Sequence, residues 1–105
     1  MSVLMEFSMF PTDKGESVSA YVSRIVTFID KSGVSYRLTP MGTIIETETA
    51  DEALRIMSEA YKLLEPDCRR VYVSAKLDIR RDRKGGLTQK IASIEKHAGK
   101  KLRSS

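Results

Sequence analysis

The segment SYRLTPMGTIIETETADEALRIM, residues 35–57, decides the fold of this chain. Its first five residues predict a short strand, and a tight Pro-Met-Gly connection leads into a second, β-branched strand at 43–48. Strands joined by so short a connection are expected to be antiparallel neighbours. Thr49 with Glu52 three residues later forms a capping box, which predicts a helix directly after the second strand.

The chain on either side of this segment shows the same two periodicities. Residues 3–9 alternate apolar and polar side chains, as expected for a half-buried strand. From Ser17 onward, apolar side chains fall at the three- and four-residue steps of an amphipathic helix, which Gly33 is expected to close. Residues 70–80 predict the longest strand, and residues 87–97 predict a third helix. The predicted order is β-α-β-β-α-β with one additional helix at the end.

This order of elements predicts an α+β fold of the ferredoxin-like, split βαβ type. In that fold two helices cover one face of a four-stranded antiparallel sheet, whose first and third strands lie in the middle. A chain of 105 residues suits one domain. We expect this domain over residues 1–98, followed by a basic tail at 99–105 that frays.

The composition excludes several classes of protein. Hydrophobic residues make up 41% and charged residues 30% of the chain, which is ordinary for a soluble globular protein. The apolar runs are far shorter than the roughly 20 residues of a membrane helix, and no secretion signal is seen, so a cytoplasmic location is expected. Cys68 and His97 are the only cysteine and histidine, which excludes an intrachain disulfide and predicts no metal site. Cys68 is expected to be a structural residue rather than a nucleophile.

The charge is divided unevenly along the chain. Residues 1–68 hold 6 Lys and Arg against 11 Asp and Glu, a balance of −5, whereas residues 69–105 hold 12 against 3, a balance of +9. A basic half is compatible with nucleic-acid binding, and equally with attraction between two halves or two subunits. The basic residues are densest at 80–84, a run that we expect to be solvated or to pair with an acidic subunit surface.

The face of the sheet opposite the two covering helices, which we call the open face, mixes apolar and charged side chains. The two central strands place Glu6 and Glu46 there, and the fourth strand is expected to bring Lys76 close to Glu6. Such a face suits a polar ligand site inside an oligomer. It is also typical of a solvated sheet surface with cross-strand salt bridges, and the pattern alone favours this second interpretation without excluding the first.

Two further functions are weaker alternatives. RNA-binding proteins of this topology carry exposed aromatic side chains on the two central strands, where this chain has Glu6, Ser8, Ile44 and Glu46. Carboxylates at these positions repel phosphate, so RNA binding is disfavoured. Glu46 with Glu6 or Asp78 could form an acid/base pair, but no nucleophile, phosphate-binding or metal motif accompanies them. We therefore expect no catalytic residues and no enzyme activity.

Three segments, 17–36, 35–46 and 69–95, resemble the small thiamine-binding protein family. The specific parts of the resemblance are the run Pro-Met-Gly-Thr-x-x-Glu and the DIRRD ending of the last strand. The resemblance implies a ferredoxin-like protomer in homodimers or homotetramers, with no catalytic activity and no cofactor. It also implies non-catalytic binding of thiamine or of its hydroxymethylpyrimidine part. The alternative is a structural or regulatory oligomeric module without a small-molecule ligand.

The resemblance further implies a site on the second and third strands and the open face. Glu46 would accept hydrogen bonds from the aminopyrimidine, while Thr43 and neighbouring backbone groups would complete its edge. Met41 and Tyr36 would cover the face of the ring. Gly42 is needed either for close approach of the backbone or for a turn with positive φ. The predicted ligand-binding residues are Tyr36, Thr39, Met41, Gly42, Thr43, Glu46, Glu6, Ser8 and Lys76.

Overall fold

The computed structural model of the protein describes residues 1–82 and 85–103. The elements follow the predicted order, and the predicted strands and the first and third helices lie within two residues of their predicted bounds. Part of the basic run predicted at 80–84, Arg83 and Lys84, lies outside the described residues, as do residues 104 and 105. The elements are β1 Ser2–Pro11, α1 Ser19–Ser32, β2 Ser35–Thr39, β3 Gly42–Thr47, α2 Ala50–Lys62, β4 Val71–Arg80 and α3 Gly86–Ala98.

The four strands form one antiparallel sheet in the order β2-β3-β1-β4. This order confirms the predicted ferredoxin-like α+β fold, with β1 and β3 in the middle. The β1–β3 pairing places Leu4 opposite Glu46 and Glu6 opposite Ile44, so these four side chains share the open face. The other side of the sheet carries the buried core residues Val3, Met5, Phe7, Met9 and Ile45.

Of the two helices that cover the core, α1 ends and α2 begins where the sequence predicts. α1 ends before Gly33, whose φ of 81° lies in the left-handed region that glycine adopts without strain. At the start of α2, the hydroxyl of Thr49 accepts a 3.1 Å hydrogen bond from the N–H of Glu52, as the capping box predicts. The core side chains that these helices contribute are Ile25, Ile29, Ala53, Ile56 and Ala60.

A salt bridge fixes α1 against the turn that follows α2. The guanidinium of Arg24 donates two 2.9 Å hydrogen bonds to the two carboxylate oxygens of Asp67 and one of 3.2 Å to the carbonyl of Leu63. The hydrogen bonds from Arg24 hold the pKa of the Asp67 carboxyl below its usual value. Both side chains are partly exposed, so solvent screens the pair, which positions α1 more than it stabilises the fold.

α3 packs on the open face of the sheet. The sequence predicted this helix from its apolar stripe, and the structure shows which surface the stripe covers. Leu87 and Ile91 of α3 lie over Leu4 and Ile44 of the two central strands. The open face is therefore partly covered by the chain itself.

β4 is the least covered strand of the sheet. Val73, Leu77 and Ile79 face the same side as α1 and α2, yet they stay 38–49% exposed because the two helices pack mainly over the other strands. Within the described residues, the outer edge of β4 pairs with no other strand. An exposed apolar edge of this length favours association with another chain.

The residues after α3 form neither helix nor strand over 99–103. The N–H of Leu102 donates a 2.5 Å hydrogen bond to the carboxylate of Glu95, which folds the start of the tail back onto α3. The domain boundary at residue 98 and the fraying of the tail stay predictions.

Candidate functional site

A cavity of about 340 Å³ lies between the first half of α1 and the hairpin that joins β2 to β3. We call it the hairpin pocket. Its volume is at the lower end of the range of about 300–1,000 Å³ that small-molecule sites occupy. β1 contributes Phe7, Ser8, Met9 and Phe10, and α1 with its N-cap contributes Val18, Val22, Ile25 and Val26. The hairpin contributes Leu38, Thr39, Pro40, Met41, Gly42 and Thr43.

Most of the surface of the hairpin pocket is apolar. Phe7, Met9 and Ile25 are buried core residues that also line the cavity, whereas Met41 is 84% exposed at its rim. No charged side chain is found among its described lining residues. The pocket therefore suits a flat molecule with apolar faces, which aromatic and thioether side chains contact well.

The hydroxyl of Thr43 is the polar side-chain group best placed for a ligand in the hairpin pocket. It forms no hydrogen bond with any other described residue. Every fully buried polar side-chain atom in the described part has a hydrogen-bond partner, so the Thr43 hydroxyl is not fully buried. The Thr43 hydroxyl, on a residue only 5% exposed, therefore opens onto the cavity. Thr39 differs, because its hydroxyl accepts from the N–H groups of Met41 and Gly42 and donates to the Gly42 carbonyl. The hydroxyl of Thr39 therefore stabilises the turn, whereas the hydroxyl of Thr43 is available to bind a ligand.

The backbone of β1 adds polar groups to the wall of the hairpin pocket. The pairing of β1 with β3 ends at Phe7 and Thr43, so residues 8–10 have no strand partner on that side among the described residues. Ser8 alternates with Phe7 and Met9, which directs its side chain to the open face rather than toward α1. Ser8 therefore lines the pocket mainly through its backbone.

Gly42 is required by the close approach of β1. A Cβ atom at this position would lie 2.7 Å from the backbone oxygen of Phe7, closer than real Cβ contacts. The φ angle of Gly42 is not positive, so the interpretation as a positive-φ turn residue is wrong. Gly42 therefore permits β1 and β3 to approach each other closely, rather than a ligand to approach the backbone.

The structure brings five of the nine predicted ligand-binding residues together at the hairpin pocket. They are Ser8, Thr39, Met41, Gly42 and Thr43. Sequence reasoning missed the apolar residues that α1 and β1 add, because their spacing was assigned to the core alone. The signal was present in the helical stripe that includes Val22 and Ile25, but the gap between this stripe and the hairpin is a tertiary feature.

Glu46 lies on the open face, as predicted, but at the other end of β3. Its four-residue separation from Gly42 corresponds to about 13 Å along the strand. The carboxylate accepts hydrogen bonds from the hydroxyl of Ser2 at 2.5 Å and from the N–H groups of Gly86 at 2.7 Å and Leu87 at 3.4 Å. Glu46 therefore caps the N-terminus of α3, where a negative charge also interacts favourably with the helix dipole.

A broad surface cleft of about 1,000 Å³ lies beside Glu46. Glu48 and Glu52 also line it, together with residues at the N-terminus of the chain and at the end of α1. The cleft is acidic, in contrast to the hairpin pocket. The carboxylate of Glu46 is already bonded to α3, so the cleft offers fewer unengaged acceptors than its composition indicates.

The remaining predicted site residues lie apart from both cavities. Glu6 and Lys76 form the expected cross-strand ion pair on the open face, with Nζ and Oε1 3.3 Å apart. Tyr36 faces the helix side of the sheet, and its hydroxyl donates a 2.7 Å hydrogen bond to Asp30. This bond to the Asp30 carboxylate raises the pKa of the Tyr36 hydroxyl.

The groups that could perform chemistry are engaged in structural contacts. Cys68 is buried, and burial, with Asp67 as a neighbour, raises the pKa of its thiol, which disfavours the reactive thiolate. His97 bonds through Nδ1 to the carbonyl of Ser93 within α3. Among residues 1–82 and 85–103, no group of three or more His, Cys, Asp and Glu is placed to hold a metal ion. No helix in the same part of the chain is long and apolar enough to cross a membrane.

The fold and the cavity define a class of protein: a small ferredoxin-like α+β domain with a ligand-sized pocket beside the hairpin of its second and third strands. The chain belongs to the thiamine-binding protein family, whose model matches residues 5–95.

Curated relatives support this assignment. A UPF0045 protein of Methanothermobacter thermautotrophicus is 36% identical over 80 residues, which cover 75% of this chain and 81% of the relative. The UPF0045 protein MJ1052 of Methanocaldococcus jannaschii is 34% identical over 92 residues, covering 88% of this chain and 91% of that protein.

Solved structures share the fold. The crystal structure of MJ1052 superimposes with a TM-score of 0.79 at 33% identity over 89% of this chain and 95% of that one. A Thermotoga maritima protein, provisionally assigned to thiamine biosynthesis or salvage, gives a TM-score of 0.77 over 90% of this chain and 99% of that one. At 17% identity, this second likeness shows the fold alone.

Proposed function

We propose that the protein binds thiamine, or its hydroxymethylpyrimidine part, non-catalytically in the hairpin pocket. The observation that carries the proposal is an uncharged, largely apolar cavity of about 340 Å³ with an unengaged threonine hydroxyl, in a chain of the thiamine-binding family.

The chemistry of an aminopyrimidine fits this cavity. Its ring faces are apolar and can pack against Phe7 and Met9, while its amine and ring nitrogens need hydrogen-bonding partners at the edge. The hydroxyl of Thr43 can donate or accept, and the backbone of residues 8–10 supplies further groups of both kinds. The charged thiazolium of thiamine would extend past Met41 toward water, because the described lining offers it no carboxylate.

This proposal differs from the sequence-based site in the role of Glu46. The carboxylate of Glu46 is bonded to α3 and lies about four residues along β3 from the start of the hairpin pocket. Direct recognition of the pyrimidine by Glu46 would require the N-terminus of α3 to leave. The proposal therefore assigns pyrimidine binding to Thr43 and the structural role to Glu46.

We also propose that the protein is a cytoplasmic homo-oligomer that associates through β4. The exposed apolar side chains of β4 and its unpaired outer edge, within the described residues, support an interface there. The opposite charges of the two halves of the chain favour contact between copies. Sedimentation equilibrium would test this arrangement, and a monomer at all concentrations would contradict it.

The test of ligand binding is a titration followed by calorimetry and thermal shift. Thiamine and hydroxymethylpyrimidine should each raise the melting temperature with concentration, because both bind the folded state. Thr43→Val keeps the shape of the side chain but removes its hydroxyl, and should weaken binding by roughly three- to tenfold. Thr27→Val, at an exposed position of α1 outside the pocket, is the matched control.

Two outcomes would count against this proposal. If neither compound bound at millimolar concentration while the oligomer persisted, the alternative of a structural or regulatory module would be favoured. If both bound with equal affinity to the wild type and to Thr43→Val, the site would lie elsewhere.

A further inference from the structure

A third, smaller cavity lies on the open face, beneath α3. It has a volume of about 190 Å³. Its sheet side is formed by Leu4, Arg37 and Ile44, and its helix side by Leu87, Lys90 and Ile91. Four apolar side chains and two cations therefore surround one small space between sheet and helix.

Arg37 is the unusual member of this set. Its side chain is half-buried, and it forms no ion pair or hydrogen bond with any residue in the described part of the chain. Beside these apolar side chains, the guanidinium of Arg37 has no anionic partner in the described part of the chain, and its fork of N–H donors matches a carboxylate or a phosphate. The feature points to an anion that comes from outside the chain.

The carboxylates in the cross-strand row that holds Arg37, and in the row beside it, are each engaged with another group. In the cross-strand row Arg37, Ile44, Glu6 and Lys76, the carboxylate of Glu6 pairs with Lys76 at 3.3 Å. In the neighbouring row, Glu46 accepts the N–H groups at the start of α3, and Asp78 pairs with Lys90. These pairings leave the charge of Arg37 without a neutralising neighbour among the described residues.

The ammonium of Lys90 is paired with the carboxylate of Asp78, whereas the guanidinium of Arg37 has no ionic partner among the described residues. Because Asp78 already pairs with Lys90, the ammonium can contribute only part of its charge to a ligand. The net positive charge of the cavity therefore comes mainly from Arg37. We expect one anionic group on the ligand, facing Arg37, rather than several.

We propose that this cavity is a second binding site, for a small organic anion with a compact apolar body, such as an aromatic carboxylate or phosphate monoester. The anionic group would take a bidentate bond from Arg37, and the apolar body would lie among Leu4, Ile44, Leu87 and Ile91. The inference does not depend on thiamine binding, because the hairpin pocket has different lining residues.

A ligand in this site would touch both the sheet and α3. It would therefore favour the docked position of the helix, and the backbone amides of α3 would exchange with solvent more slowly when the site is filled. An anion that merely collects on the basic surface would not have this effect.

Titration with benzoate, phenyl phosphate, inorganic phosphate and benzyl alcohol, followed by calorimetry, tests the proposal. At least one of the two aromatic anions should bind saturably and more tightly than either inorganic phosphate or the neutral alcohol. Arg37→Met keeps the aliphatic part of the side chain and should weaken this binding by at least about tenfold. Lys90→Met should have a smaller effect, because that ammonium is shared with Asp78.

Two control variants test whether the effect of Arg37→Met is specific to this cavity. Arg55→Met removes an exposed arginine of α2 outside the cavity and should leave anion affinity unchanged. Thr43→Val should also leave it unchanged, whatever the variant does to thiamine binding. Circular dichroism of Arg37→Met verifies that the variant folds, and hydrogen exchange of α3 in the wild type with saturating anion supplies the second readout.

The proposal would be overturned by any of three results: no saturable binding of either aromatic anion, equal affinity in the wild type and Arg37→Met, or unchanged α3 exchange with anion bound. If Arg37→Met fails to fold, hydrogen exchange of the α3 amides in the wild type, with and without anion, tests the proposal by itself. Preference for benzoate over phenyl phosphate, or the reverse, identifies which anionic group the site takes.

Discussion

The hairpin pocket and the open face beneath α3 are built from the same strand but differ in chemistry. The hairpin pocket is uncharged in its described lining and keeps the Thr43 hydroxyl free, whereas the open face is charged and its carboxylates are engaged. Thr43 and Glu46 are three residues apart on β3, and in a strand such residues point to opposite faces. In the sequence, the Pro-Met-Gly-Thr-x-x-Glu run looks like a single site. In the structure, its threonine lines the hairpin pocket and its glutamate binds the N-terminus of α3.

The largest effect that distinguishes these regions is expected from Gly42→Ala. The added methyl group would meet the backbone of Phe7 at 2.7 Å, and β1 cannot move without disturbing the core. We expect a loss of about 2–3 kcal/mol in the free energy of unfolding, measured by urea denaturation, together with loss of thiamine binding. Met41→Ala, at the exposed neighbour, should change this free energy by less than about 0.5 kcal/mol. Equal stability of the two variants would mean that β1 and β3 do not approach this closely.

Glu46→Gln separates the two interpretations of the open face. As a ligand to the pyrimidine, Glu46 would contribute roughly 1.5–3 kcal/mol to binding, and the variant would lose that affinity. As the cap of α3, it should leave thiamine affinity within about twofold while destabilising the docked helix by about 1 kcal/mol. Hydrogen exchange of the first amides of α3, set beside calorimetry with thiamine, measures both quantities. A large loss of affinity with unchanged exchange would move the binding site to Glu46.

The smallest expected effect concerns pH and α1, the helix that forms one wall of the hairpin pocket. The pKa of Asp67 is lowered in the folded state, mainly by its hydrogen bonds from Arg24, so the ionised form favours folding. This contribution is fully present above the unfolded-state pKa and is lost as the pH falls through the folded-state pKa, below the ordinary value of 3.8. Asp67→Asn should therefore flatten the acid limb of a stability-against-pH curve.

The control for the pH experiment is Glu16→Gln, which removes an exposed carboxylate from the loop before α1. It should leave the acid limb as it is in the wild type. Asp13 is a second contributor to that limb, because its hydrogen bond from the N–H of Arg69 lowers its pKa. An acid limb that is identical in Asp67→Asn and the wild type would show that the Arg24 pair does not form in solution.

The fold was predictable because its determinants are local. The alternation of residues 3–9, the capping box at Thr49 and the C-terminal glycine at Gly33 each depend on a few neighbouring residues. The β1–β4 pairing that joins Glu6 to Lys76 then followed from the order of elements. The core residues were predictable for the same reason, since strand and helix periods define which side chains share a face.

Only part of the candidate site was predictable. Thr39, Met41, Gly42 and Thr43 were predicted from one segment, but the α1 residues that line the same pocket lie about 20 positions earlier. Their contribution depends on how closely α1 approaches the hairpin, which side-chain volumes across the core decide. The apolar stripe of α3 likewise indicated that the helix packs, but not that it packs on the open face with its N-terminus on Glu46.

The sequence by itself determined the order of the elements, the faces of each strand and helix, and the family. Only the tertiary structure decided that Thr43 opens into an apolar pocket while Glu46 caps a helix, and that Arg37 lies half-buried without a partner in the described chain. The physical reason is that local periodicity fixes the direction of a side chain relative to its own element. What that side chain meets depends on the packing of elements distant in sequence.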